Sequence, residues 1–175
     1  MALFLLRNVI KDDEQTVIFM ATKQHVEFMH ALLDVLNIPN TYIYSSLDAT
    51  ARKINVAKFQ RKKIKCLIVT DLAARGIDIP LLDNVINFNF PAKPKLFIHR
   101  VGRVARAGRS GNAITLVSPD EAPYLLDLHF FLSESIQFAP MKLDTKIEEG
   151  VNKIYGTIPQ LILDEQMDEY QNTLL

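Results

Sequence analysis

Cysteine is almost absent from this chain of 175 residues, and tryptophan is absent altogether. The single Cys66 excludes an internal disulfide and any zinc site built from several cysteines, and one free thiol is typical of a reducing compartment. The four histidines are scattered along the chain and show no metal-ligand spacing. We therefore expect neither disulfide bonds nor a metal site.

Long apolar runs are missing as well. The opening MALFLL is short and has neither a basic lead-in nor a small-residue cleavage site, so we do not expect a signal peptide. The longest later run, YLLDLHFFL, is interrupted by Asp127 and His129, and no membrane span is expected. Because the chain begins abruptly on an apolar segment, we interpret Met1 as the start of an excised domain.

The chain also has no net charge, since 20 Lys and Arg balance 20 Asp and Glu. The distribution is nevertheless uneven. Residues 140–175 carry three lysines against seven acids, a net charge of −4, which leaves +4 on residues 1–139. We interpret 1–139 as one domain that carries any anion-binding function. Residues 140–175 are an acidic extension that we expect to pack on the domain through Leu161–Leu163; an acidic docking arm is the alternative.

What the chain does contain is an alternation of short β-rich runs with helical stretches. This alternation is typical of a parallel sheet with crossover helices. Ligands of such sheets gather at the carboxyl ends of the strands. A further helix, rich in arginine, is placed between the last two strands. We predict strands at 16–21, 41–44, 66–70, 84–88 and 113–117, and helices at 3–10, 23–36, 49–59 and 119–132.

Arginine is densest from Phe97 to Gly111, FIHRVGRVARAGRSG. On a helix, at about 100° per residue, His99, Arg103 and Arg106 fall within one arc of roughly 60°. The opposite side of that helix is apolar and is predicted to be buried on the sheet. No carboxylate occurs between residues 83 and 120, so an anionic partner is favoured over a merely solvated basic face. Arginine suits phosphate because its planar fork donates two hydrogen bonds and keeps its charge.

Three stretches in order resemble helicase motifs. HRVGRVARAGR resembles the sixth motif of superfamily-two helicases, and its leading His-Arg resembles the DEAD-box RNA helicases; VTDLAARGIDIP resembles motif five and VIFMAT motif four. The resemblance covers about Val17 to Pro119. It implies the second, C-terminal RecA-like domain of a DEAD-box ATP-dependent RNA helicase, an α/β fold with an open, mostly parallel sheet flanked by helices.

The amino-acid sequences around the motifs narrow the resemblance to one subfamily. LAARGIDIPLLDNVINF and PDEAPYLLDLHFFL are most similar to one nucleolar subfamily that acts in ribosome biogenesis. That likeness implies a location in the nucleus and nucleolus, and pre-ribosomal proteins as possible partners beside RNA and the first RecA-like domain.

The resemblance also implies a role for each motif residue. Arg103 and Arg106 match the arginine fingers that act on ATP, and Asp78 matches the residue that faces the ribose. His99 would link to the partner domain, while Arg100 would tie the motif to its neighbours. RNA contact would be to sugar and phosphate, independent of base sequence. The implied RNA-contacting residues are Thr22, Arg52, Thr70, Arg75 and Gly76.

Several residues of these motifs also have a simpler structural explanation. Thr22 comes directly after a strand and fits a helix cap. Arg52 fits a solvent-facing charge on a helix, Asp71 a second helix cap, and Arg75 a local ion pair with Asp78. These explanations suit the residues singly but do not account for the whole run VTDLAARGIDIP, so we prefer the RNA roles.

The chain departs from the family pattern in several places. Where the family has His-Gly followed by Gln, it has Tyr44-Ser45 followed by Ala49, and the role of that glutamine is unsupported. After the fourth strand Asn89 replaces an aspartate, so an acid-dependent role there is unsupported too. In motif six, Val104-Ala105 replaces Thr-Gly; both residues are apolar and small enough for the back of a buried helix.

Half of an ATPase is missing from the sequence. There is no GxxxxGK[ST] phosphate loop, since none of the six glycines precedes a lysine, and no Asp-Glu-Ala-Asp to hold magnesium. We expect ATP and Mg²⁺ in the full enzyme, with Mg²⁺ held by the missing first domain, and an inactive fragment that binds neither tightly. One alternative is a DNA-directed motor, which usually has Gln at the position of His99. The other is an ATP-independent RNA- or protein-binding scaffold, against which Asp78, Arg103 and Arg106 argue.

Overall fold

The structure is a computed structural model that describes residues 2–11, 13–77, 79, 82–104 and 111–133. All five strands in these ranges are parallel and form one sheet in the order β2-β3-β1-β4-β5. The predicted α/β fold with an open parallel sheet is confirmed, and each strand lies within two residues of its predicted bounds. The strands are β1 Thr16–Met20, β2 Asn40–Ile43, β3 Cys66–Thr70, β4 Asn84–Asn87 and β5 Asn112–Thr115.

The central strands are apolar because helices cover both faces of the sheet. Every residue of β1 and β3 is buried, as expected for parallel strands with crossover helices. Side chains alternate between faces, so Ile18 and Met20 pack in one cluster with residues of helix α2 (Lys23–Val35), and Val17 and Phe19 in another with Phe59. Two cores, one on each face, therefore hold the sheet.

The second and third helices agree with prediction, whereas others differ from it. Thr22 and Asp48 cap α2 and α3, which occupy the predicted ranges. The first predicted helix is one α-helical turn that runs into a π-helix, and a short helix after β3 was not predicted. Across the described ranges no helix has the length and apolarity to cross a membrane. The remaining elements are α1 Ala2–Phe4, the π-helix Leu5–Val9, α3 Ala49–Gln60, α4 Asp71–Ala74, α5 Pro94–Val101, the 3-10 turn Pro119–Glu121 and α6 Ala122–Leu132.

The strand order brings the motifs together. Because all strands run the same way, the residues that follow β1, β3 and β4 meet at one edge of the sheet, which we call the carboxyl edge. β1 lies between β3 and β4, so the segments after these three strands are direct neighbours. The crevice at this edge is where open α/β sheets bind ligands.

Candidate functional site

The loop after β3 carries the motif-five residues. Arg75 has φ −66° and ψ 133°, and Gly76 has φ +73°. The Ile77 N–H donates to the Ala74 carbonyl at 3.4 Å, which closes a type II turn with Gly76 at the position that requires a positive φ. Arg75 and Gly76 are exposed, whereas Thr70 at the end of β3 is buried. The chain therefore turns tightly directly after α4.

Arg52 lies against this loop rather than pointing into solvent. Its guanidinium donates to the Ala73 carbonyl of α4 at 2.7 Å, and the residue is half-buried. The solvent-facing explanation for Arg52 is therefore wrong. The bond joins the first turn of α3 to α4, so Arg52 and the motif-five loop are held side by side.

Thr22 acts as a helix cap. Its Oγ1 accepts a hydrogen bond from the His25 N–H at 3.2 Å, as the simpler explanation predicted, and the residue is exposed at the carboxyl edge. The preceding Ala21 N–H donates to the Asn89 side chain at 3.0 Å. Asn89, which stands where the family has aspartate, thus joins the end of β1 to the end of β4.

Arg100 is the most deeply buried charge at this edge, with 2% of its surface exposed. Its guanidinium makes a bidentate ion pair with Asp71, with both N–O distances 2.7 Å. It also donates to the Asn87 side chain at 3.1 Å and to the Asn89 carbonyl at 2.8 Å. The Phe19 ring lies 5.1 Å from its Cζ. We call Arg100, Asp71, Asn87 and Asn89 the arginine network; Asp71 does not serve as the helix cap considered above.

The arginine-bearing helix is shorter than predicted. α5 ends at Val101, so only His99 of the three predicted arc residues lies on it, and it is exposed there. Arg103 lies in the following turn and is half-buried, and Arg106 lies outside the described residues, as does Asp78. The common helical face predicted for these residues is therefore wrong, at least for His99 and Arg103.

The buried side of α5 was also predicted wrongly. Ile98 is 40% exposed, whereas Arg100 faces the interior. Arg100 is buried because Asp71 and two asparagine oxygens replace the water that its charge loses. A pattern of apolar residues does not reveal such a partner, since Asp71 is far away in the sequence.

Two local features explain where the helix ends. Gly102 closes α5, and a Cβ at this position would lie 2.8 Å from the Ile98 carbonyl oxygen, so the missing side chain leaves room for the preceding turn of its own helix. After Gly102 the bonds are i to i−3, from Arg103 to Arg100 and from Val104 to Val101. Val104 then forms an isolated parallel bridge with Leu82, which draws the chain toward β4.

Tyr44 stands where the family has histidine, and it does not offer an aromatic platform. Its hydroxyl donates to Glu27 at 2.9 Å, the Lys23 ammonium lies 5.0 Å from its ring centroid, and it is 9% exposed. The hydrogen bond to Glu27, with burial second, raises the pKa of Tyr44. Base stacking needs an open ring face, which Tyr44 does not present.

Two motif cations, Arg75 at the carboxyl edge and Arg103 beside Leu82, have no ion-pair partner among the described residues. Arg100, by contrast, neutralises Asp71. Within the same described ranges no three His, Cys, Asp or Glu side chains are grouped as metal ligands. The geometry suits an anion with several oxygens that is held by arginine and by backbone N–H groups.

Sequence comparison assigns the domain. Residues 2–108 match the model of the helicase conserved C-terminal domain. The chain belongs to this helicase domain family. The helicase domain is 54% identical over 174 residues to the ATP-dependent RNA helicase DDX54 of Mus musculus, which covers 98% of this chain. The chain spans about a fifth of that relative's length.

Solved structures agree with the assignment. The helicase domain resembles the E. coli DEAD-box protein SrmB, whose structure was solved bound to the regulator RraA, with a TM-score of 0.71 and 27% identity over 92% of this chain and 84% of that one. It also resembles S. cerevisiae Dbp5 bound to RNA and ADP BeF3, with a TM-score of 0.67 and 25% identity over 94% of this chain and 39% of Dbp5. The predicted C-terminal RecA-like domain of the DEAD-box type is confirmed.

Proposed function

We propose that this chain is the second half of an RNA-dependent ATPase that remodels RNA during ribosome biogenesis in the nucleolus. The observation that carries the proposal is the convergence of the motif-four, motif-five and motif-six segments at the carboxyl edge. The likeness to DDX54, named an ATP-dependent RNA helicase, supports the same activity. Pre-ribosomal RNA and proteins are the proposed partners.

RNA binds along the exposed end of this edge. Thr22, Arg75 and Gly76 are exposed there and offer a hydroxyl, a guanidinium and a backbone N–H to phosphates. Arg52 and Thr70, which are less exposed, shape the same loop. Because none of these groups reads a base edge, binding does not depend on sequence.

ATP lies between this domain and a first RecA-like domain, which supplies the phosphate loop and holds Mg²⁺. Arg103 has no carboxylate partner among the described residues, so its charge is available for the phosphoryl group that is transferred. Arg106 acts beside it, Asp78 meets the ribose, and His99 contacts the first domain. A finger of this kind contributes on the order of 10³–10⁵ in rate, roughly 4–7 kcal/mol of barrier.

Phosphate release measured with and without RNA tests the proposal. This chain alone should show no RNA-stimulated turnover, because it lacks the phosphate loop and the metal ligands. In a protein that joins it to a first RecA-like domain, Arg103→Ala should lower turnover by about 10³-fold or more with little change in nucleotide affinity.

Arg61→Ala is the matched control, since Arg61 is exposed at the opposite edge of the sheet and should leave turnover unchanged. Thermal melting separates chemistry from folding. RNA-stimulated ATP hydrolysis by the isolated chain would contradict the proposal that it supplies only half of the ATPase site. Full turnover in the Arg103 variant would show that Arg103 is not an arginine finger, and an absence of turnover in the joined protein with Arg103 intact would favour an ATP-independent scaffold.

A further inference from the structure

The amino edge of the sheet, opposite the proposed RNA and ATP site, carries a groove of about 440 Å³. Its apolar walls come from the N-terminal helical segment, the approach to β2 and the loop before β3. Thr16 and Cys66, both buried at the starts of β1 and β3, lie at its base. We call it the amino-edge groove; its apolar wall residues are Leu6, Ile10, Ile38, Pro39 and Ile64.

The end of α3 and the loop that follows it form one strongly basic rim of this groove, and we call residues 58–65 the basic loop. Residues 58–65, KFQRKKIK, hold five cations, and no carboxylate occurs anywhere from Ala49 to Thr70. Lys58, Arg61, Lys62 and Lys63 form no ion pair with the residues that the structure describes. On the other rim Lys11 is already paired with Glu14 at 3.9 Å. The basic rim therefore presents clustered positive charge beside the apolar walls of the amino-edge groove.

We propose that the amino-edge groove receives residues 158–170 of this same chain, IPQLILDEQMDEY. The first half of the segment is apolar and the second half has four carboxylates, and no lysine or arginine occurs from Ile154 to Leu175. The apolar half matches the walls, and the acidic half matches the basic loop. One segment thus complements both properties of the groove.

The chain is long enough to make this contact. The 24 residues between Ser133 and Ile158 span up to about 80 Å when extended. A domain of this size has a radius of gyration of only about 14 Å. The connection can therefore pass from the end of α6 to either edge of the sheet.

Two other pairings fit less well. A nucleic acid would match the basic loop, but its phosphates would gain nothing from the aliphatic walls. The outer side of α6 is apolar, with Phe130 81% and Phe131 52% exposed, and is a second surface for an apolar segment. α6 has no lysine or arginine and carries an exposed Asp127, so it offers nothing to the four carboxylates.

Zero-length crosslinking of the full chain tests the contact. A carbodiimide joins a carboxylate to a lysine amine only when the two groups touch. We expect amide links between carboxylates 164–169 and lysines 58–65, found by mass spectrometry in the monomer fraction. Lys93 and Lys95, exposed at the start of α5, are the matched control and should not be linked to the segment.

Variants within the segment keep the test independent of the domain's stability. Leu161→Ser with Ile162→Ser should lower the yield of these links by about tenfold or more, because each aliphatic side chain would lose its burial. Reversing Lys62 and Lys63 to glutamate should abolish the links at those positions. Adding Asp164→Lys and Glu165→Lys to that variant should restore links between positions 62–63 and 164–165. The basic loop then supplies the carboxylates and the segment supplies the amines.

The other outcomes overturn the proposal. Links from the segment to Lys93 and Lys95, or no links to the basic loop, would exclude the groove as its site. Links found only between chains, in a mixture of ¹⁵N-labelled and unlabelled protein, would assign the groove to a second copy. The proposal does not rest on the RNA or ATP roles, so it stands or falls separately from them.

Discussion

Replacing Asp71 with asparagine should destabilise this domain more than any other single change at the carboxyl edge. The variant keeps the shape of the side chain but removes the anion that pairs with Arg100. Arg100 is 2% exposed, so water cannot reach the guanidinium to compensate. Asn87 and the Asn89 carbonyl still accept from it, but neither carries a charge.

The size of the effect follows from burial. Removing one partner of a buried ion pair costs about 3–5 kcal/mol. The Asp71 side chain is 20% exposed, so part of the pair is already solvated and we expect a loss near the lower bound, about 3 kcal/mol. With a urea m value of about 2 kcal/mol/M, the unfolding midpoint should fall by roughly 1.5 M.

The reverse variant should cost less. Arg100→Met leaves a partly exposed carboxylate at Asp71, which can recover water, whereas Asp71→Asn leaves a buried cation. The double variant should cost less than the sum of the two single losses, because it removes both charges together.

Urea unfolding of the whole chain, followed by circular dichroism, measures all three variants. Lys93→Ala is the control, since Lys93 is exposed and should shift the midpoint little. Equal losses for Asp71→Asn and Lys93→Ala would refute the reasoning. A larger loss for Arg100→Met than for Asp71→Asn would show that the bonds to the asparagines outweigh the ion pair.

Three further changes have defined outcomes. Gly76→Ala should lower the free energy of unfolding in urea by about 1–2 kcal/mol. Gly76 has φ +73° and open space around it, so the added methyl group brings only backbone strain. Gly76→Asn should cost less, and equal losses for the two variants would contradict backbone strain as the cause. Arg75→Ala should weaken binding to every RNA sequence alike and reduce the slope of log affinity against log salt by about 0.7, measured by fluorescence anisotropy; loss for one sequence alone would indicate base readout. Burial raises the pKa of Cys66 from 9.0 to about 12, so the thiol favours the folded state below pH 9 and this contribution is lost as pH rises toward 12. The difference in the free energy of unfolding between the natural chain and Cys66→Ala should therefore shrink over that range, and a constant difference would contradict a buried thiol.

The fold was predictable because it depends on local patterns. β1 and β3 are short apolar runs bounded by polar residues, and buried parallel strands require such runs. Helices α2 and α3 have clear caps in Thr22 and Asp48. The motif residues were found through the family resemblance, which fixes their positions but not their contacts.

The contacts of the site depend on distant residues, and sequence patterns could not supply them. The resemblance implied that Arg100 ties its motif to its neighbours, but it did not identify Asp71, which precedes Arg100 by 29 residues, as the partner. α5 ends early because of Gly102 and the bridge between Leu82 and Val104. Gly102 was visible as a weak helix former, whereas the bridge requires the tertiary fold.

The arginine network also restricts how this domain moves. Asn89 bonds to the end of β1, Asp71 belongs to α4, and Arg100 belongs to α5, so all three segments share bonds of 2.7–3.0 Å. A shift of one segment alone would leave the buried guanidinium of Arg100 without some of its hydrogen-bond partners. In the proposed two-domain ATPase, this domain is therefore expected to turn as a single rigid body, with hinges outside it.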